Sequence, residues 1–119
     1  MAKLDHLAIT VGDLVATTDW YTSVLGLEVE FDTRGVTGLK DEGDFTIILS
    51  QDGSSPSSCA LYFQVADVHA AYEEMSTRCI TFRYAPQSND WGYGAGLTDP
   101  DGRLVGLWDE KSMRDHDTG

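Results

Sequence analysis

The sequence is poor in positive charge: Lys and Arg total 8 against 20 Asp and Glu, a net charge of −12 with His neutral. A surface of that sign excludes phosphate-driven binding to nucleic acid, which needs cations to displace counterions. It equally excludes docking on anionic lipid heads. No apolar run approaches the roughly 20 residues of a membrane-crossing helix. The opening MAKLDHLAITVGD has neither a long apolar core nor a small-residue cleavage site, so it does not read as a signal peptide and the chain is expected to be cytoplasmic. There are only two cysteines, Cys59 and Cys79, at neither CxxC nor zinc-ligand spacing. They read as reduced, partly buried thiols, with a disulfide as the lesser alternative. Also missing are a Ser/His/Asp or Cys/His nucleophile pattern, a phosphate loop and a dinucleotide fingerprint. Gly92, Gly94 and Gly96 are spaced by two with no helix to follow.

What is present suits one compact domain of 119 residues with ordinary hydrophobic content, 41%. Leu4 to Val11 is a β-branched run and reads as a strand. Asp13 is placed to cap a helix from Leu14 to Leu25, with Leu14, Thr17, Tyr21, Val24 and Leu25 at helical spacing and Gly26 as its stop. Trp20 and Tyr21 on that helix read as core. Leu27 to Phe31 alternates, predicting a half-buried strand with Glu28 and Glu30 facing out. Val36 to Leu39 is a weaker strand, and Phe45 to Ser50 a buried one. Gln51 to Ser58 is the single linker-like stretch. Strands then follow at Ala60–Val65, Ile80–Tyr84, Trp91–Thr98 and Leu104–Trp108, with a helix bearing Val68, Ala71, Tyr72 and Met75 after Asp67. Asp99-Pro100-Asp101-Gly102 is a turn, and the polar residues from Asp109 onward are expected to fray.

The element order is βαβββ, twice, and the halves match in sequence. VGDLVATTDWY from Val11 aligns with VADVHAAYEEM from Val65: Val11 with Val65, Asp13 with Asp67, Leu14 with Val68, a constant offset of 54 residues. One long repeat is a duplicated module rather than a solenoid. A single module has too few strands to close a core by itself, so the two must pack or pair. The expected organisation is one domain over 1–119, with module 1 at about 3–51, a linker at 52–58, module 2 at about 59–110 and a polar tail at 111–119.

Four marks in order carry a resemblance over roughly residues 4–110. They are Leu4-Asp5-His6, Val11-Gly12-Asp13-Leu14, Trp20-Tyr21 followed by Val24-Leu25-Gly26-Leu27, and Asp99-Pro100-Asp101-Gly102. The chain resembles the vicinal-oxygen-chelate superfamily of glyoxalases, extradiol dioxygenases and bleomycin-resistance proteins. That resemblance implies an α+β fold of two βαβββ modules whose curved sheets form an open cup, paired in a homodimer. Metal enzymes of the superfamily carry ligands on the first and last strand of each module. Those positions fall here on His6, Ile48, Ala60 and Gly106, and only His6 has a lone pair to offer. His69 and His116 are not placed to replace the missing ligands.

No metal or other cofactor is therefore expected. By strand alternation the cup would be lined by His6, Thr46, Ile48, Ala60, Tyr62, Gly106 and Trp108, with Trp91 at its mouth and Glu28, Glu30 and Asp90 on its rim. Aromatic walls beside small residues suit a planar ring. The glycines at 92, 94 and 96 leave one face bare, for a ligand or, slightly favoured, for a packed helix. The reading is a metal-free protein of the bleomycin-resistance type that sequesters an aromatic compound such as an antibiotic, a cationic one being compatible with the charge. It leans away from catalysis. The alternative is a metal-dependent lyase, isomerase or dioxygenase with a non-standard site using His6.

Overall fold

The computed structural model describes residues 2–116. Contacts divide the chain between Ser58 and Cys59. The first unit holds β1 (His6–Thr10), α1 (Leu14–Leu25), β2 (Glu28–Thr33), β3 (Val36–Lys40) and β4 (Thr46–Ser50). The second holds β5 (Leu61–Gln64), α2 (Val68–Thr77), β6 (Phe82–Asn89), β7 (Gly92–Thr98), β8 (Leu104–Trp108) and a third helix, α3 (Glu110–Asp115). The sheet orders are β1-β4-β3-β2 and β5-β8-β7-β6, each with one parallel pair formed by its first and last strands. The duplicated βαβββ module is thus present twice, as an α+β fold.

The repeat extends to individual hydrogen bonds. Asp13 and Asp67 each accept from the backbone N–H three residues on, at 3.0 Å, and so cap α1 and α2. Val11 N–H donates to Ser50 O and Val65 N–H to Trp108 O, both at 2.8 Å, tying each first strand to its module's last. Gly26 ends α1 in the left-handed region at φ 74°, where a Cβ would be strained.

In the first unit α1 packs on β3 and β4, burying Thr17 and Tyr21 against Leu39, Ile47 and Leu49. Trp20 is half-buried, edge-on to Tyr21. In the second, Val68 and Met75 of α2 join Leu61, Ala95, Leu97, Val105 and Leu107 in the core. Each sheet therefore has one face under a helix.

Four expectations are corrected. β2 is exposed at all six positions, because it is the outer strand of its sheet and its pairing slips between Val29 and Phe31. β4 is half-buried, alternating under α1, rather than buried throughout. Both cysteines are exposed free thiols; Cys79 follows the α2 cap with φ 62°. The residues after Asp109 do not fray: Glu110–Asp115 form α3, nucleated by Asp109 accepting from Ser112 N–H at 2.6 Å. Of the expected polar tail, residues 117–119 lie outside the described residues.

Candidate functional site

The face of the second sheet turned away from α2 is built on glycine. Gly96 pairs with Gly106 across β7 and β8, and Gly94 lies two residues back on the same face. Three aromatic rings cover them. Tyr84 is the cross-strand partner of Gly96, and a Cβ there would stand 2.5 Å from its ring. Tyr62 is the partner of Gly106, where a Cβ would stand 2.6 Å from the Tyr62 ring and 3.1 Å from Trp91. At Gly94 a Cβ would overlap both the Leu107 carbonyl and the Trp91 ring. Gly92 instead admits Met113 of α3. The spaced glycines thus serve two neighbours, a helix residue at 92 and aromatic rings at 94 and 96.

The rings are not held alike. Trp91 is fixed at both ends: its backbone N–H donates to Asn89 Oδ1 at 3.0 Å and its indole N–H to Tyr84 Oη at 2.8 Å. Tyr62 meets Trp91 at a centroid distance of 5.0 Å and a tilt of 58°, is 48% exposed, and its hydroxyl has no hydrogen bond among the described residues.

The first sheet repeats part of this plan. Phe31, just past the slip in β2, lies over its partner Gly38, as Tyr84, just past a slip in β6, lies over Gly96. Next to it the volumes are exchanged. Ala8 pairs with Ile48, where the second sheet pairs Tyr62 with Gly106. Along the same face His6 pairs with Thr46. The His6 ring contacts Asp5 at 3.0 Å, and Thr46 Oγ1 donates to Glu30 at 3.4 Å. Ile48 is half-buried.

Of the residues expected from sequence, the structure brings Tyr62, Trp91 and Gly106 into contact. His6 and Thr46 are register partners, with Ile48 two positions further along β4. Ala60 precedes β5. Trp108 is not part of the ring cluster at Tyr62: it lines an open groove of about 770 Å³ with Asn89, Asp90, Tyr93, Met113 and Arg114. Glu28, Glu30 and Asp90 are exposed. Tyr84 is the member of the ring cluster that sequence reasoning missed. Its alternation with Phe82 was visible, but the slips in β6 that set it opposite Gly96 were not.

His69 and His116 are both exposed and flank Tyr93. Tyr93 Oη and His69 Nε2 lie 3.2 Å apart, and the His116 ring stacks on Tyr93 at 3.7 Å. Asp109, buried at the end of β8, joins two helices by accepting from Val68 N–H at 2.6 Å, Ser112 N–H at 2.6 Å and Ser112 Oγ at 3.1 Å. Burial raises its pKa, but those hydrogen bonds and the His69 charge outweigh it, so the carboxyl sits below its ordinary value. Among the described residues no three or more His, Cys, Asp or Glu gather closely enough to hold a metal ion.

Known proteins share this architecture. An antibiotic binding protein from Streptomyces sp. CB03234, TnmS3, superposes with a TM-score of 0.77 at 22% identity, over 92% of this chain and 96% of its own. A superfamily member from Sphaerobacter thermophilus DSM 20745 gives 0.75 at 24% identity, over 92% and 98%. An integron cassette protein from the mobile metagenome of V. Cholerae gives 0.71 at 28% identity, over 90% and 94%. No curated protein matches. The family model for the Glyoxalase/Bleomycin resistance protein/Dioxygenase superfamily matches residues 3–107, nearly the whole chain, and the protein belongs to that superfamily.

Proposed function

We propose that this protein binds a small aromatic compound without transforming it, on the open face of its second sheet. The observation that carries the reading is the aromatic surface of Trp91, Tyr84 and half-exposed Tyr62 on a glycine base. Such rings attract another planar ring by offset stacking and by shedding apolar surface from water. A net charge of −12 favours a cationic ligand through the long-range field. The fold is also that of an antibiotic binding protein, which makes an antibiotic a reasonable ligand.

The metal of the superfamily's enzymes does not fit this chain. Of the four positions the resemblance points to, Ile48, Ala60 and Gly106 offer no side-chain donor, and among the described residues no third acidic, His or Cys side chain joins His6 and Asp5.

Titration with proflavine, a planar cationic tricycle, is expected to quench tryptophan fluorescence saturably. Trp91→Ala is expected to weaken binding by about tenfold or more, as for a buried aromatic anchor, while Trp108→Ala, in the separate groove, leaves it within about twofold. Absence of saturable quenching in the parent would sink the proposal. The superfamily's habit of pairing leads us to propose a homodimer as well; light scattering that returns the mass of one chain at micromolar concentration would remove that part.

A further inference from the structure

The space where a ligand ring would lie flat on Gly106 is filled by the protein's own Tyr62 ring. We propose that Tyr62 is a displaceable cover, that Trp91 is the fixed wall, and that the ligand presents a flat aromatic ring that replaces Tyr62 over Gly106. The inference rests on the binding reading above and adds which residues the ligand meets and what shape it must have.

The two rings differ in how they are tied. Moving the Trp91 ring would break its indole hydrogen bond to Tyr84. Moving Tyr62 breaks none among the described residues, and nearly half of its surface already meets water. Its hold is the tilted contact with Trp91 and its fit against Gly106, the smaller share of what an aromatic pair provides. A side chain can leave by rotamer change, without backbone movement, on the nanosecond scale of exposed residues. What it uncovers is the Gly106 backbone, bounded by Trp91 and by Tyr84, which stays over the neighbouring Gly96. A floor without Cβ atoms admits a ring at the contact distance that Tyr62 itself occupies. It therefore favours a flat ring, which can lie in full contact with the floor, over a propeller-shaped or tetrahedral group, which meets it only at an edge. The first sheet cannot do the same, since Ile48 stands where the second has Gly106.

Tyr84 follows as a positioning residue. Its hydroxyl accepts the Trp91 indole N–H and holds that wall upright over Gly94 and Gly106.

The test titrates the full chain with proflavine, with anthraquinone-2-sulfonate as a flat anion, and with crystal violet as a propeller-shaped cation. The parent, Tyr62→Ala, Tyr84→Phe and the double variant Tyr62→Ala/Gly106→Ala are compared, with circular dichroism confirming that each is folded. With a cover to displace, Tyr62→Ala binds the flat probes more tightly, by roughly two- to tenfold, the equivalent of one aromatic contact. The double variant loses that gain, because the new Cβ stands in the vacated layer. Tyr84→Phe weakens the flat probes, and crystal violet binds each of the four more weakly than the flat probes do. Weaker binding of flat probes by Tyr62→Ala overturns the cover while leaving the binding reading intact, as does equal binding of crystal violet. Failure of every probe to bind both the parent and Tyr62→Ala overturns both.

Discussion

Replacing Arg103 with alanine is expected to destabilise the second module by about 3–5 kcal/mol, a large part of the whole stability of an ordinary domain. Its guanidinium pairs with Asp99, and both side chains are almost completely removed from water, at 1% and 0% exposure. Asp99 also accepts from the backbone N–H groups of Asp101 and Arg103 at 3.0 Å, and Asp101 reaches the same guanidinium at 3.4 Å. Removing the cation leaves a buried carboxylate with no countercharge beside it, which costs more than the pair contributes. Asp99→Asn combined with Arg103→Met should recover part of the loss, since neither group then carries a buried charge. Urea unfolding followed by circular dichroism measures all three. An Arg103→Ala midpoint within error of the parent's would show that the pair does not hold this turn.

Asp109→Ala is the second large effect, expected at about 2–4 kcal/mol, because one side chain satisfies N–H groups of two helices together with a hydroxyl. It also has a pH signature. The folded carboxyl is held below its ordinary value, so folding favours the ionised form. Its contribution is complete above the unfolded value of about 4 and is lost as pH falls through the folded value. The stability gap between the parent and Asp109→Ala should therefore be full at pH 5 and narrow at lower pH. A gap that widens in acid would contradict this assignment. With the Asp99–Arg103 pair just before β8 and Asp109 just after it, the strand carrying Gly106 is pinned at both ends.

Much of this was legible in the chain. The helix from Leu14 to Leu25, its Asp13 cap and Gly26 stop are local, set by hydrogen bonds within a few residues, and the structure has them at the expected positions. The 54-residue repeat between Val11 and Val65 implied the duplicated module before any contact was known. Exposure was less legible. Leu27 to Phe31 alternates like a half-buried strand, yet β2 is exposed throughout, because burial depends on which strand ends outermost. Asp109 looked like the start of a polar tail, since a cap to a helix 41 residues away is not a local signal.

The site divides the same way. Alternation placed Tyr62 and Gly106 on one face, and the spaced glycines at 94 and 96 announced a bare surface. What lies on that surface was decided by register. The slips in β6 bring Tyr84 over Gly96, and the fold of the 89–91 turn lays Trp91 across Gly94 and Gly106. Trp108, on the same strand as Gly106, ends in a groove beside α3, a helix that composition did not suggest. The sequence by itself determined the module, its duplication and the excess of acidic residues, all properties of single residues or of spacing along the chain. Only the tertiary structure decided that the space above Gly106 is occupied by Tyr62 and walled by Trp91, because contacts between strands depend on pairing and bulges that no short window of residues contains.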